Sequence, residues 1–334
     1  MIHVPPLGYG GIERIVAALV RGLRAAGHTV ALVAKKGSAC DADARYFWPG
    51  GNVGSLRDSW RNALALRRAA REFRPDVLHS FARLAFLLPL LRSRLPKIMS
   101  YQRKTGGRGI TVAAALGGRT LRFTGCSEFI CAMGRRAGGR WDAVYNFAEL
   151  DKLTFVPRVP ADAPLVFLSR VESIKGPDLA IAIARASGRR LLVAGNHAAD
   201  GPEREFWDRA VAPHIGRDGI EYVGEMNDVQ KNDLLGRAAA MIVPIQWDEP
   251  FGIVFAEAFA TGTPVITCAR GALPEIVTPG RTGFFIKGVE DGVAAVARIG
   301  ELDRAACREV AETRFSLPVC AEMYLRLYAD ARKG

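Results

Sequence analysis

The sequence predicts an α/β protein made of two doubly wound, parallel-sheet domains in tandem, and three observations predict it. Short apolar, β-branched runs alternate with helix-periodic runs over residues 1–146, and the alternation starts afresh at residue 165. Pro157, Pro160 and Pro164 interrupt the pattern between the two series. A length of 334 residues suits two domains of ordinary size.

In the first series, residues 1–4 read as a short strand, followed by a tight turn at Gly8, Gly10 and Gly11. Residues 12–26 place Ile12, Val16, Leu19, Val20 and Leu23 at helical spacing, and Gly27 stops that helix. A buried strand is expected at 29–34, a helix at 57–74, and strands at 76–79, 97–101, 123–127 and 143–146. The second series has strands at 165–169, 191–195, 221–223, 240–243, 264–267 and 284–286, with a helix at 178–186. Residues 303–334 read as helices, the last amphipathic through Val319, Met323 and Leu327. The expected layout is a first Rossmann-like domain over 1–156, a second over 157–316, and a terminal helix over 317–334 that crosses back to the first. In such sheets, ligands bind outside the carboxyl ends of the strands.

The composition, 49% hydrophobic and 24% charged, is that of a globular protein with a sizeable core. Six scattered cysteines without a C-x-x-C pair indicate reduced thiols in a cytoplasmic setting. Residues 1–30 carry charges and glycines where an export signal needs an apolar run, and the apolar stretch at 84–91 falls short of the ~20 residues of a membrane span. The net charge of +12 is lopsided: residues 1–150 hold 24 Lys+Arg against 9 Asp+Glu, residues 151–334 hold 22 against 25. A basic first domain implies an anionic partner, such as a phospholipid surface or an acidic saccharide. Nucleic acid is disfavoured, because no motif with stacking aromatics accompanies the arginines. Asp41 and Asp43 form an Asp-x-Asp pair, read as solvated loop carboxylates, and no metal is expected.

The chemistry concentrates in the second half. Glu249 precedes a helix that begins after Pro250 and Gly252, and Glu257 lies about a turn inside it. Between them, the backbone N–H groups of Phe251, Gly252, Ile253 and Val254 stand at the positive end of the helix, an anion site. Two carboxylates able to hold hydroxyls beside a phosphate site suit a nucleotide sugar. Arg170 and Lys175 follow the strand at 165–169 and place two cations at its carboxyl end, where they can neutralise a departing diphosphate. At the first glycine turn, no Gly-Lys-Ser/Thr follows, and Lys35 and Lys36 stand where a dinucleotide fold would need an acid.

The Glu249…Glu257 spacing resembles the Glu-x7-Glu motif of retaining GT-B glycosyltransferases, in particular glycosyltransferase family 4. Gly10 and Gly11 with Glu13, Arg170 with Lys175 and Gly176, Gly195 with Asn196, Gly224 with Met226, and Gly262 with Pro264 resemble further motifs of that family. The resemblance covers nearly all of residues 8–330. It implies a GT-B fold and a nucleoside-diphosphate sugar as donor, with no cofactor. Donor contacts fall to Gly10, Gly11, Asn196, Met226, Phe251, Gly252, Ile253, Val254 and Glu257, with Glu257 on the ribose and Met226 near the base. The catalytic group becomes Arg170, Lys175 and Glu249.

Two departures stand out: the first strand is a few residues short, and Gln102 and Arg103 occupy the place where the family commonly has a histidine. Gln102 can hold a hydroxyl, Arg103 an anion, and His79 at another strand end is a further acceptor-side candidate. The expected function is retaining, metal-independent transfer of a hexose-type sugar to a hydroxyl of a saccharide, lipid-linked or other acceptor. It would act in the cytoplasm or on the inner face of the cell membrane, with an anionic membrane surface as candidate partner. The competing readings are a sugar-nucleotide epimerase of the same fold and a non-catalytic nucleotide-sugar-binding subunit.

Overall fold

A computed structural model of the chain describes residues 2–6, 10–52 and 54–333. They fall into two compact units, residues 1–146 with 317–334, and residues 147–316.

The first unit contains α1 (Gly11–Ala25), β1 (Ala31–Ala34), β2 (Ala44–Phe47), α2 (Leu56–Phe73), β3 (Leu78–Ser80), β4 (Lys97–Tyr101), α3 (Gly107–Gly117), β5 (Leu121–Gly125), α4 (Glu128–Arg135) and β6 (Trp141–Ala143). Every strand pairing is parallel, but the strands form two pieces, β1 with β2 and β3-β4-β5-β6 in order. The same helices cover both pieces. On one side Leu32 and Ala34 pack with Ala17 and Val20 of α1, and Ile98 packs with Leu19 and Leu23. On the other, Val33 joins Leu66 of α2 together with Leu78 and Met99. The apolar stretch at 84–91 folds mostly into a 3-10 helix, Leu84–Leu90, whose Phe86, Leu87 and Leu90 complete that core.

Residues 2–4 do not form the expected strand, and Met1, Gly8 and Tyr9 lie outside the described residues. Pro5 and Pro6 follow at once and have no N–H to donate to a ladder, and the Val4 N–H donates to Ser38 Oγ at 3.0 Å. Asp41 and Asp43 are not merely solvated. Arg24 bridges them, and Asp43 Oδ2 accepts the Val30 N–H at 2.8 Å, so the pair ties helix α1 to the entrance of β1.

The second unit contains β7 (Leu165–Leu168), α5 (Pro177–Ala186), β8 (Leu191–Ala194), α6 (Gly201–Ala210), β9 (Ile220–Gly224), α7 (Asp228–Arg237), β10 (Ala240–Val243), α8 (Ile253–Ala260), β11 (Val265–Thr267), α9 (Leu273–Ile276), β12 (Gly283–Phe285), α10 (Val289–Ala297) and α11 (Arg304–Arg314). Its sheet is continuous and parallel, ordered β12-β11-β10-β7-β8-β9. The chain winds outward from β7 through β8 to β9, then returns to the other side of β7 with β10. The switch point therefore lies between β7 and β10. Residues 147–156 pack with this unit: Arg304 donates to the carbonyls of Val156 at 2.7 Å, Ala238 at 2.9 Å and Gly236 at 3.0 Å, and the Val156 N–H donates to Thr261 O.

The last helix, α12 (Leu317–Lys333), packs within the first unit, where Ala321, Tyr324 and Leu327 join Leu19 and Leu23 of α1. All six cysteines are buried free thiols. Among the described residues, no helix is long and apolar enough to cross a membrane.

Candidate active site

In the second unit, the two strands of the switch point each carry half of a buried ion pair. After β7 the chain passes Ser169 and Arg170 into a 3-10 turn, Ser173–Lys175. After β10 it passes Pro244 and Trp247 to Glu249. The two loops are stitched together: the Gln246 N–H donates to Ile174 O at 2.9 Å, and a Cβ at Gly176 would meet Pro244 O at 2.3 Å, so that position accepts glycine alone. The stitching brings Lys175 Nζ to Glu249 Oε2 at 2.6 Å, with both residues buried. Trp247 Nε1 donates to the same oxygen at 2.9 Å, and its ring lies 5.0 Å from Lys175 Nζ. Glu249 is held from behind as well. The Ala272 N–H donates to its carbonyl at 2.8 Å, and a Cβ on Gly271 would sit 2.3 Å from that carbonyl.

Helix α8 starts four residues after Glu249, at Ile253. Gly252 caps it in the left-handed region, φ +79°, with the Phe255 ring 2.6 Å from the place a Cβ would take. That turn presents the N–H groups of Ile253 and Val254 at the helix's positive end. Glu257 is half-buried one turn in and accepts from Lys231 Nζ at 2.5 Å. Lys231, on α7, reaches Asp228 as well, at 3.5 Å. Arg170 pairs with Glu172, and the loop holding both is pinned by Ser173, whose N–H and Oγ donate to Glu203 at 2.7 Å each. Asn196 is exposed just past β8, and its carbonyl accepts the Val171 N–H at 2.9 Å. Met226 sits half-buried between β9 and α7.

Arg170, Lys175, Asn196, Met226, Glu249, Phe251, Gly252, Ile253, Val254 and Glu257 thus all lie in the second unit, on loops that leave its strands or on the first turns of α8. Sequence reasoning missed Lys231 and Trp247, the partners of the two glutamates. The signal for Lys231 was faint, one lysine in a polar helix. Trp247 stands two residues before Glu249, a position where an indole N–H can reach a carboxylate.

The first unit holds a cavity of about 800 Å³. Its walls include β1 residues Leu32 and Val33, the strand end from Leu78 to Ser80, and Gln102, Arg103 and Glu13. His79 lines it, but both ring nitrogens are engaged, Nδ1 with Tyr328 OH at 2.7 Å and Nε2 with Ser100 Oγ at 2.6 Å. Burial lowers its pKa from 6.5 to about 3, so at neutral pH it is an uncharged structural imidazole. Gln102 Oε1 accepts from Asn146 Nδ2 at 2.7 Å, and Arg103 is exposed. Gly10 caps α1 and Gly11 begins it; a Cβ on Gly10 would come 2.7 Å from Pro6 Cβ, so local packing alone demands glycine there.

The chain is similar to known proteins over most of its length. Residues 9–146 match the model of Glycosyltransferase Family 4, and residues 156–312 that of Glycosyl transferases group 1. A D-inositol 3-phosphate glycosyltransferase of Mycolicibacterium smegmatis is 30% identical over 208 residues, 58% of this chain and 48% of that protein. The chain spans about half the length, or less, of such curated relatives. Among solved structures, AviGT4, a glycosyltransferase involved in avilamycin A biosynthesis, is similar over 100% of this chain and 93% of its own, with 27% identity and a TM-score of 0.72. Anabaena Alr3699/HepE in complex with UDP-glucose aligns over 96% of each chain with a TM-score of 0.72 at 16% identity. The fold is GT-B, and the chain belongs to glycosyltransferase family 4.

Proposed function

We propose that the chain moves a hexose-type sugar from a nucleoside-diphosphate sugar to an acceptor hydroxyl, with retention of configuration and without a metal ion. The observation that carries this reading is the buried Lys175–Glu249 pair at the switch point of the second sheet, beside the start of α8. Ligands of doubly wound sheets bind at that point. An ammonium there can take up negative charge as the diphosphate departs. Arg170 adds a second cation, the N–H groups of Phe251 to Val254 hold sugar or phosphate oxygens, Glu249 receives sugar hydroxyls and Glu257 the ribose. Asn196 and Met226 border the donor. In the Anabaena protein the same fold holds UDP-glucose.

Neither His79 nor Gln102 is a base at neutral pH. The departing phosphate oxygen then takes the acceptor proton on the face it leaves, which gives retention. The basic first unit suits an anionic acceptor, either a polyol phosphate like the one in the relative's name or a lipid-linked saccharide reached by peripheral contact with the inner face of the cell membrane. Gln102 and Arg103 in the wall of the cavity are the acceptor-side contacts. The six buried free thiols suit a reducing, cytoplasmic compartment.

The test is release of nucleoside diphosphate from UDP-, GDP- and ADP-sugars, in chelator, against a panel of inositol phosphates and lipid-linked saccharides. Proton NMR then reads the new anomeric centre. Acceptor-dependent release that keeps the donor's configuration supports the reading. Donor consumption without any acceptor would replace it with epimerisation, and inversion at the anomeric carbon would remove the same-face mechanism.

A further inference from the structure

Helix α2 faces two ways. Asn62, Ala63, Leu66 and Ala69 are buried in the first unit. Leu56, Trp60 and Leu64, spaced four apart, are turned to solvent at 88%, 55% and 43% exposure. At 3.6 residues per turn, the three share one arc of about 140° with Arg57, Arg61, Arg67, Arg68 and Arg71. The helix's two acids, Asp58 and Glu72, lie beyond the edge of that arc. Asp58 accepts from the Asn52 N–H at 2.9 Å and pairs with Arg61 at 3.6 Å, and Glu72 pairs with Arg68 at 2.6 Å.

Single exposed apolar residues are ordinary. Three large ones in a row, among five guanidinium groups of which only Arg61 and Arg68 meet a carboxylate, are not what a face bathed only in water requires. The combination is that of a helix lying in a lipid interface: Trp and Leu enter the headgroup–acyl boundary while arginines bond the phosphates. A polynucleotide would use the arginines but has no use for two leucines. We propose that this face of α2 is where the first unit rests on an anionic phospholipid surface, with Leu56, Trp60 and Leu64 inserted and the arginines on lipid phosphate. The inference deepens the peripheral membrane contact given above and does not depend on the transfer reaction.

The test is co-sedimentation of the full chain with vesicles of phosphatidylglycerol and phosphatidylcholine, and with phosphatidylcholine alone, at low and high salt. Two variants accompany it, Leu56→Ser/Trp60→Ser/Leu64→Ser and Arg67→Gln/Arg71→Gln. The wild type is expected to bind only the anionic vesicles and to release in high salt. The arginine variant should lose about 25-fold, at roughly fivefold for each of its two charges. The serine variant should lose at least as much with unchanged circular dichroism and Tm. If it misfolded, the arginine variant, which alters surface charge alone, would still decide. Wild-type-like binding by both variants would overturn the assignment to α2 while leaving membrane contact in place. Absence of binding to anionic vesicles by the wild type would overturn both. Oligonucleotide binding that survives the serine substitutions, with no vesicle binding, would assign the arginines to another polyanion.

Discussion

The two units share one architecture and use charge in opposite ways. In the second, lysines pair with glutamates, Lys175 with Glu249 buried on the loops after β7 and β10 and Lys231 with Glu257 half-buried between α7 and α8, and the unit's 24 Asp+Glu outnumber its 19 Lys+Arg. In the first, the charge excess stands on the surface, and two polar residues lining its cavity are tied to neighbouring side chains, His79 to Ser100 and Tyr328, Gln102 to Asn146. A continuous six-stranded sheet brings β7 and β10 side by side and so sets two loops in register. The sheet of the first unit comes in two pieces, and residues of both line an open cavity. The Lys–Glu ion pairs named above thus lie in the second unit, while the first carries the surface charge and the cavity.

The largest expected effect attacks the buried pair. Lys175→Ala leaves Glu249 buried without its cation, which should cost about 3–5 kcal/mol of stability in urea titration. Turnover should fall on the order of 10²–10³-fold as well. Lys175→Met with Glu249→Met should recover much of the stability and none of the turnover, separating the two roles. A loss under about 1 kcal/mol for Lys175→Ala would mean that water reaches the pair and the contrast between the units is smaller than drawn.

Next comes the backbone that aims the β7 loop. A Cβ on Gly195 would overlap Ser169 O at 1.8 Å, and φ is +132°. Gly195→Ala should therefore destabilise by roughly 2–4 kcal/mol in thermal melts, from strain and overpacking together. Gly188→Ala, where φ is +65° but nothing lies within 4 Å, should cost only about 1 kcal/mol.

A smaller effect is expected at Glu257. Its removal takes one charged hydrogen-bonding group from the donor, about 1.5–3 kcal/mol, or roughly 10–100-fold in nucleotide affinity by calorimetry. Folding should change little, because Lys231 keeps Asp228.

The smallest tests the first unit. His79 takes up a proton in the unfolded chain below about 6.5 and in the folded protein only near 3. Its share of stability is complete above 6.5 and is lost as pH falls through that window, at up to roughly 1.4 kcal/mol per pH unit. The difference in Tm between wild type and His79→Gln, followed from pH 7 to 5, should shrink accordingly. A constant difference would show that His79 titrates normally and is open to solvent.

Much of this was legible in the sequence, for physical reasons. The strands at 97–101 and 240–243 appear where expected, and the second, Ala240–Val243, shows why most directly: a fully buried parallel strand is an unbroken apolar run. The Glu249–Glu257 segment was legible because proline, glycine and an apolar helix follow in fixed order. The strand Ala44–Phe47 was missed: it lies at a sheet edge with alternate residues exposed, and it carries an arginine. The strand expected at 1–4 is absent over 2–4, where the two prolines that follow supply no donors. Lys231 could not be read because its partner lies 26 residues away, and such pairing exists only once the sheet has closed. The exposure of Trp60 was likewise hidden, since helical spacing alone does not say which apolar stripe is buried.

The most direct measurement is calorimetric titration of UDP, GDP and ADP into the full chain, in chelator, repeated with Glu257→Ala. One of the three is expected to bind, and Glu257→Ala to weaken it by about 10–100-fold with the fold unchanged. Binding of none, or binding indifferent to Glu257, would contradict the donor site in the second unit.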